Sequence, residues 1–111
     1  MCDCIFCKIG KGEISSKKYY EDDDFFIISD ISPKAKCHYL MIPKNHYKLI
    51  SEQTENDRKI IAKMFDVLPK IQHELGLDGG YRLIINQGED GGQEVPHLHI
   101  HILGGEKLKS F

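Results

Sequence analysis

The sequence has 111 residues, of which 41% are hydrophobic and 29% are charged, and its formal net charge is −2. These values are ordinary for a globular protein, so we predict one domain over residues 1–111. The slightly acidic balance gives no reason to expect a nucleic-acid surface. No apolar stretch approaches the roughly 20 residues that span a bilayer, and the N-terminus does not resemble a secretory signal. We therefore expect a cytoplasmic protein with reduced cysteines and no membrane partner.

The first half of the chain predicts a short helix followed by three strands. Residues 4–9 form the helical turn, which glycines end. Residues 18–21 and 25–29 are rich in aromatic and β-branched side chains, and the aspartates between them supply the turn of a hairpin. Residues 37–42 lie between two prolines and form a third strand.

A long amphipathic helix is predicted next. Thr54 and Asp57 resemble a capping box, with Asp in the place more often held by Glu. Pro69 is expected to kink the helix or loosen its hydrogen bonding, and Gly76 ends it. The apolar residues that recur at three- and four-residue spacing behind the cap are Ile61, Met64, Phe65, Leu68, Ile71 and Leu75.

The last third of the chain predicts two more strands, at residues 81–86 and 95–103. The loop between them, residues 87–93, contains three glycines. Together these elements predict an α+β fold. It consists of about five antiparallel strands in a mostly meandering order, with one long helix on one face and a short N-terminal helix.

Three histidines alternate with apolar residues in the last predicted strand. Because successive strand residues point to opposite faces, His97, His99 and His101 share one face, while Leu98 and Ile100 meet the helix on the other. Imidazoles about 7 Å apart repel when protonated and gain little when neutral, so a purely structural role is disfavoured.

Two chemical roles for this histidine face remain open. Neutral imidazoles on alternate strand residues can converge on a metal ion. Alternatively, an imidazole attacks phosphorus as a free base and forms a phosphohistidine, which divides one difficult displacement into two easier ones. The glycine-rich loop directly before the histidines favours the second role, because its backbone N–H groups can bind an anion.

At these residues the chain resembles the histidine triad (HIT) family, in its nucleotide-binding, purine nucleoside phosphoramidase branch. The central match is residues 91–105, in which histidine alternates with apolar residues. The other segments that resemble this branch are residues 6–9, 30–33, 38–44 and 81–86. The match therefore extends over nearly the whole chain and implies a HIT-like fold.

The resemblance implies a role for individual residues. His99 corresponds to the nucleophile, His101 and His38 assist at the phosphate, and Asp30 accepts hydrogen bonds from the ribose hydroxyls. Asn86 supports the phosphate site. The backbone of Gly92, Gln93, Glu94 and Val95 would hold phosphate oxygens, and Phe6, Ile9, Ile28, Ile31 and Ile5 would form the slot for the base.

The resemblance also implies a structural zinc ion. Cys4 and Cys7 form a C-x-x-C pair, which alone also fits a redox pair or chance. Some bacterial HIT proteins complete such a site with two histidines, which here correspond to His46 and His97. Cys2 is a weaker alternative ligand. A bound His97 is not available as the nucleophile.

The implied activity is hydrolysis of an adenosine or guanosine 5′-phosphoramidate through a nucleotidyl-histidine intermediate. Alternatives are a dinucleoside polyphosphate hydrolase, a nucleotide-binding adaptor with incidental turnover, and a metallohydrolase that uses the triad as its metal site. Glu94 stands where animal members carry serine near the leaving group, and the tail lacks their tryptophan. Both departures point to a prokaryotic-type member, for which we expect a homodimer.

Overall fold

The computed structural model describes residues 3–111. Each predicted helix and strand is present within this range, although several boundaries differ. In chain order the elements are α1 (Ile5–Gly10), β1 (Tyr20–Glu21), β2 (Phe25–Ser29), β3 (Cys37–Pro43), a 3₁₀ turn (Ile50–Glu52), α2 (Glu55–Ile71), β4 (Tyr81–Ile84) and β5 (Ile100–Gly104).

The five strands form one antiparallel sheet in the order β1-β2-β3-β5-β4. The register pairs Ile28 with Leu40 in β2 and β3, and Leu40 with His101 in β3 and β5. The α+β prediction is therefore confirmed. The order is mostly meandering, as predicted, with one exception: β5 inserts between β3 and β4 and leaves β4 at the edge.

Two apolar clusters cover the two faces of the sheet. On one face, Met64 and Leu68 of α2 are 0% and 1% exposed and pack against Ile100 and Ile102 of β5. Burial of each such side chain contributes about 1.5–3 kcal/mol. The second cluster lies on the α1 side and contains Phe6, Ile9, Phe26, Ile28, Leu40 and Ile42. Burial on both faces explains why residues 25–28 of β2 and 40–42 of β3 are continuous apolar runs.

The capping box at the start of α2 is present as predicted. The Thr54 hydroxyl accepts a hydrogen bond from the Asp57 backbone N–H, and the Asp57 carboxylate accepts one from the Thr54 N–H. The helix includes Pro69 but ends at Ile71, before the predicted end at Gly76. Hydrogen-bonded turns occupy residues 72–76, and Gly76 adopts a φ of 75° there.

The last strand is shorter than predicted, and this changes the setting of the histidines. Residues 95–99 are not part of the sheet ladder, because the N–H of Leu98 donates to the Tyr47 carbonyl and that of His97 donates to the Val95 carbonyl. Consequently His97 and His99 precede β5, and only His101 belongs to it. Among the described residues, neither helix is long and apolar enough to cross a membrane.

Candidate functional site

A cavity of about 640 Å³ opens on the face of the sheet that carries α1. Strands β2, β3, β5 and β4 form its floor in that order, and the loops after β2 and before β5 form its walls. Its lining residues are Ile5, Phe6, Ile28, Ser29, Asp30, Ile31, Ser32, Lys34, His38, Leu40, Ile84, Asn86, Gly92, Glu94, Val95, His99, His101 and Leu103.

Most residues predicted to bind substrate line this cavity, but Ile9 and Gln93 do not. Ile9 is buried in the second apolar cluster. The prediction that the backbone of Gly92 and Gln93 holds phosphate oxygens is wrong for their N–H groups, which donate to the Glu89 and Gly88 carbonyls. The Gln93 side chain accepts a hydrogen bond from the Gly88 N–H and donates to the carbonyls of Lys48 and Val95. Gln93 therefore stabilises the glycine-rich loop through hydrogen bonds and does not line the cavity.

Sequence reasoning missed several lining residues. Leu40 follows His38 by two residues, Ile84 precedes Asn86 by two, and Leu103 follows His101 by two. Strand alternation could therefore have placed all three on the cavity side. Other missed residues lie where the sequence carries no such signal, because they belong to the end of β2 and the loop that follows it; these are Ser29, Ser32 and Lys34.

The ring orientation of His99 exposes one nitrogen to the cavity. Its Nδ1 lies 2.7 Å from the carbonyl oxygen of His97, which only accepts hydrogen bonds, so Nδ1 carries the proton. The other nitrogen, Nε2, then holds a free electron pair in the neutral ring. The ring is 7% exposed and packs edge-on against Phe6 at a centroid distance of 5.1 Å. His99 therefore has one nitrogen that makes no hydrogen bond to the described residues.

A hydrogen-bonded relay fixes the tautomers of the other two cavity histidines. His38 Nδ1 accepts the backbone N–H of Lys34 at 3.1 Å, so in the neutral ring the proton is on Nε2. That N–H donates to His101 Nδ1 at 2.9 Å and also lies 3.4 Å from the Asp30 carboxylate. His101 therefore carries its own proton on Nε2, where it can donate to an acceptor. The cavity histidines are His38, His99 and His101.

Burial keeps this relay neutral at physiological pH. Desolvation lowers the pKa of His38 below its ordinary value, against the opposing effect of the Asp30 carboxylate. Desolvation, reinforced by His99 and His38, lowers the pKa of His101 to about 4. Both rings are therefore uncharged near pH 7, and hydrogen-bond donation by His101 does not require a protonated imidazole.

Cys4, Cys7, His46 and His97 form a second group, the Cys/His cluster, whose donor atoms all lie within 4.8 Å of one another. His97 Nδ1 lies 3.3 Å from Cys4 Sγ, 3.6 Å from Cys7 Sγ and 3.1 Å from His46 Nδ1, and Cys7 Sγ lies 3.3 Å from His46 Nδ1. A tetrahedral zinc ion with standard bond lengths requires S–N separations of about 3.6 Å and an N–N separation of about 3.3 Å. The cluster therefore fits a four-coordinate ion.

The surroundings of His97 reinforce this fit. Its Nε2–H donates to the Pro43 carbonyl at 2.7 Å, which leaves the electron pair of Nδ1 directed at the other three donors. Burial lowers the pKa of His97 to about 4, so the ring is neutral, as a metal ligand must be. The alternative ligand Cys2 lies outside the described residues.

The arrangement divides the triad between two sites. His97 belongs to the Cys/His cluster, whereas His38 and His101 group with Asp30. His99 lies between them, with its Nδ1 bound to a backbone carbonyl. This division argues against one metal ion bound by all three histidines of the triad.

Comparison with known proteins agrees with this geometry. The HIT domain family pattern matches residues 11–108. Protein HitA from Neisseria gonorrhoeae is 42% identical over 104 residues, which cover 94% of this chain and 97% of that protein. The match is therefore nearly end to end in both proteins.

Solved structures give the same result. A histidine triad protein from Clostridium difficile has a TM-score of 0.92 and 46% identity, covering 100% of this chain and 97% of that one. A HIT family hydrolase from Legionella pneumophila has a TM-score of 0.88 and 39% identity, covering 96% of each chain. A Zn-bound histidine triad family protein from Mycobacterium smegmatis has a TM-score of 0.79 and 30% identity, covering 94% of this chain and 76% of that one. The chain therefore belongs to the HIT domain family, and its similarity to a HIT family hydrolase supports a hydrolase-type function.

Proposed function

We propose that the protein hydrolyses purine nucleoside 5′-phosphoramidates through a covalent nucleotidyl intermediate on His99. The observation that carries the proposal is the orientation of His99, whose free Nε2 shares a cavity with the neutral His38–His101 relay and Asp30. This combination supplies a nucleophile, a hydrogen-bond donor for a phosphoryl oxygen and an acceptor for hydroxyl groups.

In the first step, Nε2 of His99 forms a bond to phosphorus while the bond from phosphorus to the leaving nitrogen breaks. The leaving nitrogen keeps the electron pair, takes up one proton from solvent water and departs as an amine. The phosphorylated ring keeps its Nδ1 proton and is positively charged, and the His97 carbonyl at 2.7 Å stabilises that charge.

In the second step, water attacks the phosphorus and the bond to His99 breaks. The nucleoside monophosphate leaves, and the proton released by water replaces the one used in the first step. In both steps, His101 donates its Nε2–H to a phosphoryl oxygen, and the backbone N–H of Val95 adds a further donor, whereas those of Gly92 and Gln93 donate to the Glu89 and Gly88 carbonyls. The Asn86 side chain is a further polar group that lines the cavity.

The nucleoside half of the substrate fits the other end of the cavity. Oδ1 of Asp30 accepts the Ser32 N–H at 2.8 Å, which orients the carboxylate so that Oδ2 faces the relay and the cavity. An ionised carboxylate only accepts hydrogen bonds and matches two vicinal ribose hydroxyls. The apolar wall for the base consists of Ile5, Phe6, Ile28, Leu40 and Val95, with the exposed Ile31 at its rim.

We further propose a structural zinc ion in the Cys/His cluster. The donor distances support a closed tetrahedral site, and the Zn-bound relative from Mycobacterium smegmatis shows that this family includes zinc-containing members. When bound, zinc would supply a cross-link between residues far apart in sequence. Phe6 links this cluster to the cavity, because its ring packs edge-on against both His97 and His99.

A homodimer is a further part of the proposal. Strand β4 lies at the edge of the sheet, and Leu83 in it is 37% exposed. An unpaired edge strand offers backbone donors and acceptors to a second copy of the chain. Size-exclusion chromatography with light scattering tests this, and a monomer at micromolar concentration would contradict it.

Replacement of His99 by alanine tests the proposed activity. The variant is expected to hydrolyse adenosine 5′-phosphoramidate at least about 10³-fold more slowly than the wild type and still to bind AMP. Exposed His73, which lies outside the cavity, provides the control His73→Ala with unchanged activity.

Two results would overturn the proposal. Hydrolysis by His99→Ala at the wild-type rate contradicts the assigned nucleophile. A wild-type protein that binds AMP but turns over no phosphoramidate is a nucleotide-binding adaptor instead. A substrate panel that includes dinucleoside polyphosphates tests the alternative hydrolase. If the protein cleaves dinucleoside polyphosphates in preference to phosphoramidates, the phosphoramidase assignment is contradicted.

A further inference from the structure

The order of the strands gives the cavity two distinguishable ends. Asp30 directly follows β2, on one side of the cavity histidines. Ile84 and Asn86 belong to the other side, at the end of β4. In the proposed reaction the ribose lies at Asp30 and phosphorus at His99. The leaving group must therefore point toward the β4 end, away from the nucleoside.

The loop that joins β4 to β5 leaves the sheet at this end and carries Glu94, whose side chain lines the cavity and is exposed. In the part of the chain that the structure describes, its carboxylate takes part in no ion pair or hydrogen bond. The Glu94 carboxylate is thus available to contact the leaving group of a bound substrate.

The neighbours of Glu94 hold its backbone in place. On one side, Gln93 is fixed by hydrogen bonds to Gly88, Lys48 and Val95 at 2.9, 3.1 and 3.2 Å. On the other side, Val95 packs against the second apolar cluster. Because both flanking residues are anchored, the position of the Glu94 backbone on the cavity wall does not depend on contacts of its own carboxylate.

The opposite, nucleoside end of the cavity carries a cation beside the Asp30 carboxylate. Lys34 lines the cavity beside Asp30, and its ammonium forms no ion pair with the described residues. Its positive charge acts on the relay, where it lowers the pKa values of both His38 and His101. The two ends therefore differ in charge, because Lys34 and Asp30 balance each other at the nucleoside end, whereas Glu94 is an anion without a nearby cation.

We infer that Glu94 is a specificity residue that selects substrates whose leaving amine carries an additional positive charge. This inference rests on the proposed phosphoramidase activity. A cationic group near the scissile bond would pair with the Glu94 carboxylate, whereas an anionic leaving group would be repelled by it. Because the contact persists through binding and reaction, it lowers KM and leaves kcat nearly unchanged.

Three adenosine 5′-phosphoramidates of matched length test the inference. Their amines end in an ammonium, a methyl group or a carboxylate, and kcat and KM are measured for each. Glu94→Gln is expected to lower kcat/KM about tenfold for the ammonium substrate, through KM, because a charge-assisted contact is lost. The methyl substrate, which makes no charge-assisted contact, should lose less of its kcat/KM than the ammonium substrate does. Glu94→Lys should make the carboxylate substrate the preferred one.

The matched control is Glu89→Gln, which removes the same charge from the same loop but from a residue that does not line the cavity. It should leave the order of the three substrates unchanged. Added salt should reduce the wild-type preference for the ammonium substrate, since the contact is exposed.

Failure of the inference differs from failure of the proposed function. If all three substrates are hydrolysed and Glu94→Gln changes their kcat/KM values equally, the selectivity role of Glu94 is overturned and the activity stands. That role is also overturned if Glu89→Gln has the same effect as Glu94→Gln. If the wild type hydrolyses none of the three, the proposed function is itself overturned.

Discussion

The Cys/His cluster and the cavity histidines place the same residue type in different hydrogen-bonding environments. His97 and His99 are two positions apart, and each ring has one nitrogen bound to a backbone carbonyl. In His97 that nitrogen is Nε2, so the free pair on Nδ1 points at two sulfurs and another imidazole. In His99 it is Nδ1, so Nε2 is the free nitrogen.

This difference shows that the partner of the second nitrogen determines what a histidine can do. A ligand must direct a lone pair at a point shared with other donors, and a nucleophile must direct one at open space. His101 has a third setting, because it accepts the His38 N–H and keeps a donor toward the cavity. Three histidines at alternate positions therefore have three different hydrogen-bonding states.

Loss of the metal is expected to have the largest effect on the fold. Cys7→Ser should remove bound zinc and lower the free energy of unfolding by about 4 kcal/mol, the value for a ligand present at 1,000 times its Kd. The physical reason is that metal binding favours only the folded chain, which brings the distant ligands together. Zinc content by elemental analysis and urea unfolding measure the two effects.

Cys37→Ser is the matched control, since this cysteine lies in β3 outside the Cys/His cluster. It should retain one zinc ion per chain. Wild-type protein that contains no zinc after expression in zinc-supplemented medium contradicts the metal site, as does an unchanged zinc content in Cys7→Ser.

Local sequence patterns predicted the helices and strands but not the start of β5. Periodicity and capping residues predicted the elements, because apolar spacing reports directly which face is buried. The start of β5 depends on the hydrogen bond that the Leu98 N–H donates to the Tyr47 carbonyl. Tyr47 belongs to a separate loop, so the local sequence pattern around Leu98 does not predict this contact. The shortened strand in turn separates His97 from the sheet.

The two clusters differ in how the sequence revealed them. Cys7 of the C-x-x-C pair lies 39 and 90 residues from His46 and His97, so spacing alone could not join them, and the family resemblance named all four ligands. The resemblance also named His38 and Asp30. Neither approach found Lys34, because its position depends on the loop after β2 and on the hydrogen bond that its backbone donates to His38.

Removal of His101 is expected to have the next largest effect, and this effect should be confined to the cavity histidines. His101→Ala should lower kcat for adenosine 5′-phosphoramidate about 10²-fold, since one donor to the developing phosphoryl charge is lost. KM and zinc content should change little. Steady-state kinetics and elemental analysis check this separation, and a loss of zinc in His101→Ala would show that the two clusters are not independent.

The smallest expected effect is a pH dependence of the free energy of unfolding that arises from His101. The pKa of His101 is lowered from an ordinary value of 6.5 to about 4, mainly by burial. Between these values the unfolded chain binds a proton that the folded chain does not, so stability is lost as the pH falls from about 6.5 toward 4. His101→Gln should therefore show a shallower decline of the free energy of unfolding over this range than the wild type.

The comparison with His73 tests the sign of this effect. Its hydrogen bond and ion pair with Asp78 raise the pKa of His73, so its contribution is present at low pH and is lost as the pH rises through the raised value. His73→Gln should thus leave the decline toward pH 4 in place. Because wild type and His101→Gln share the Cys/His cluster, acid release of zinc affects both, and the difference between their urea unfolding curves isolates the relay. Identical pH profiles for wild type and His101→Gln would contradict a buried, neutral His101.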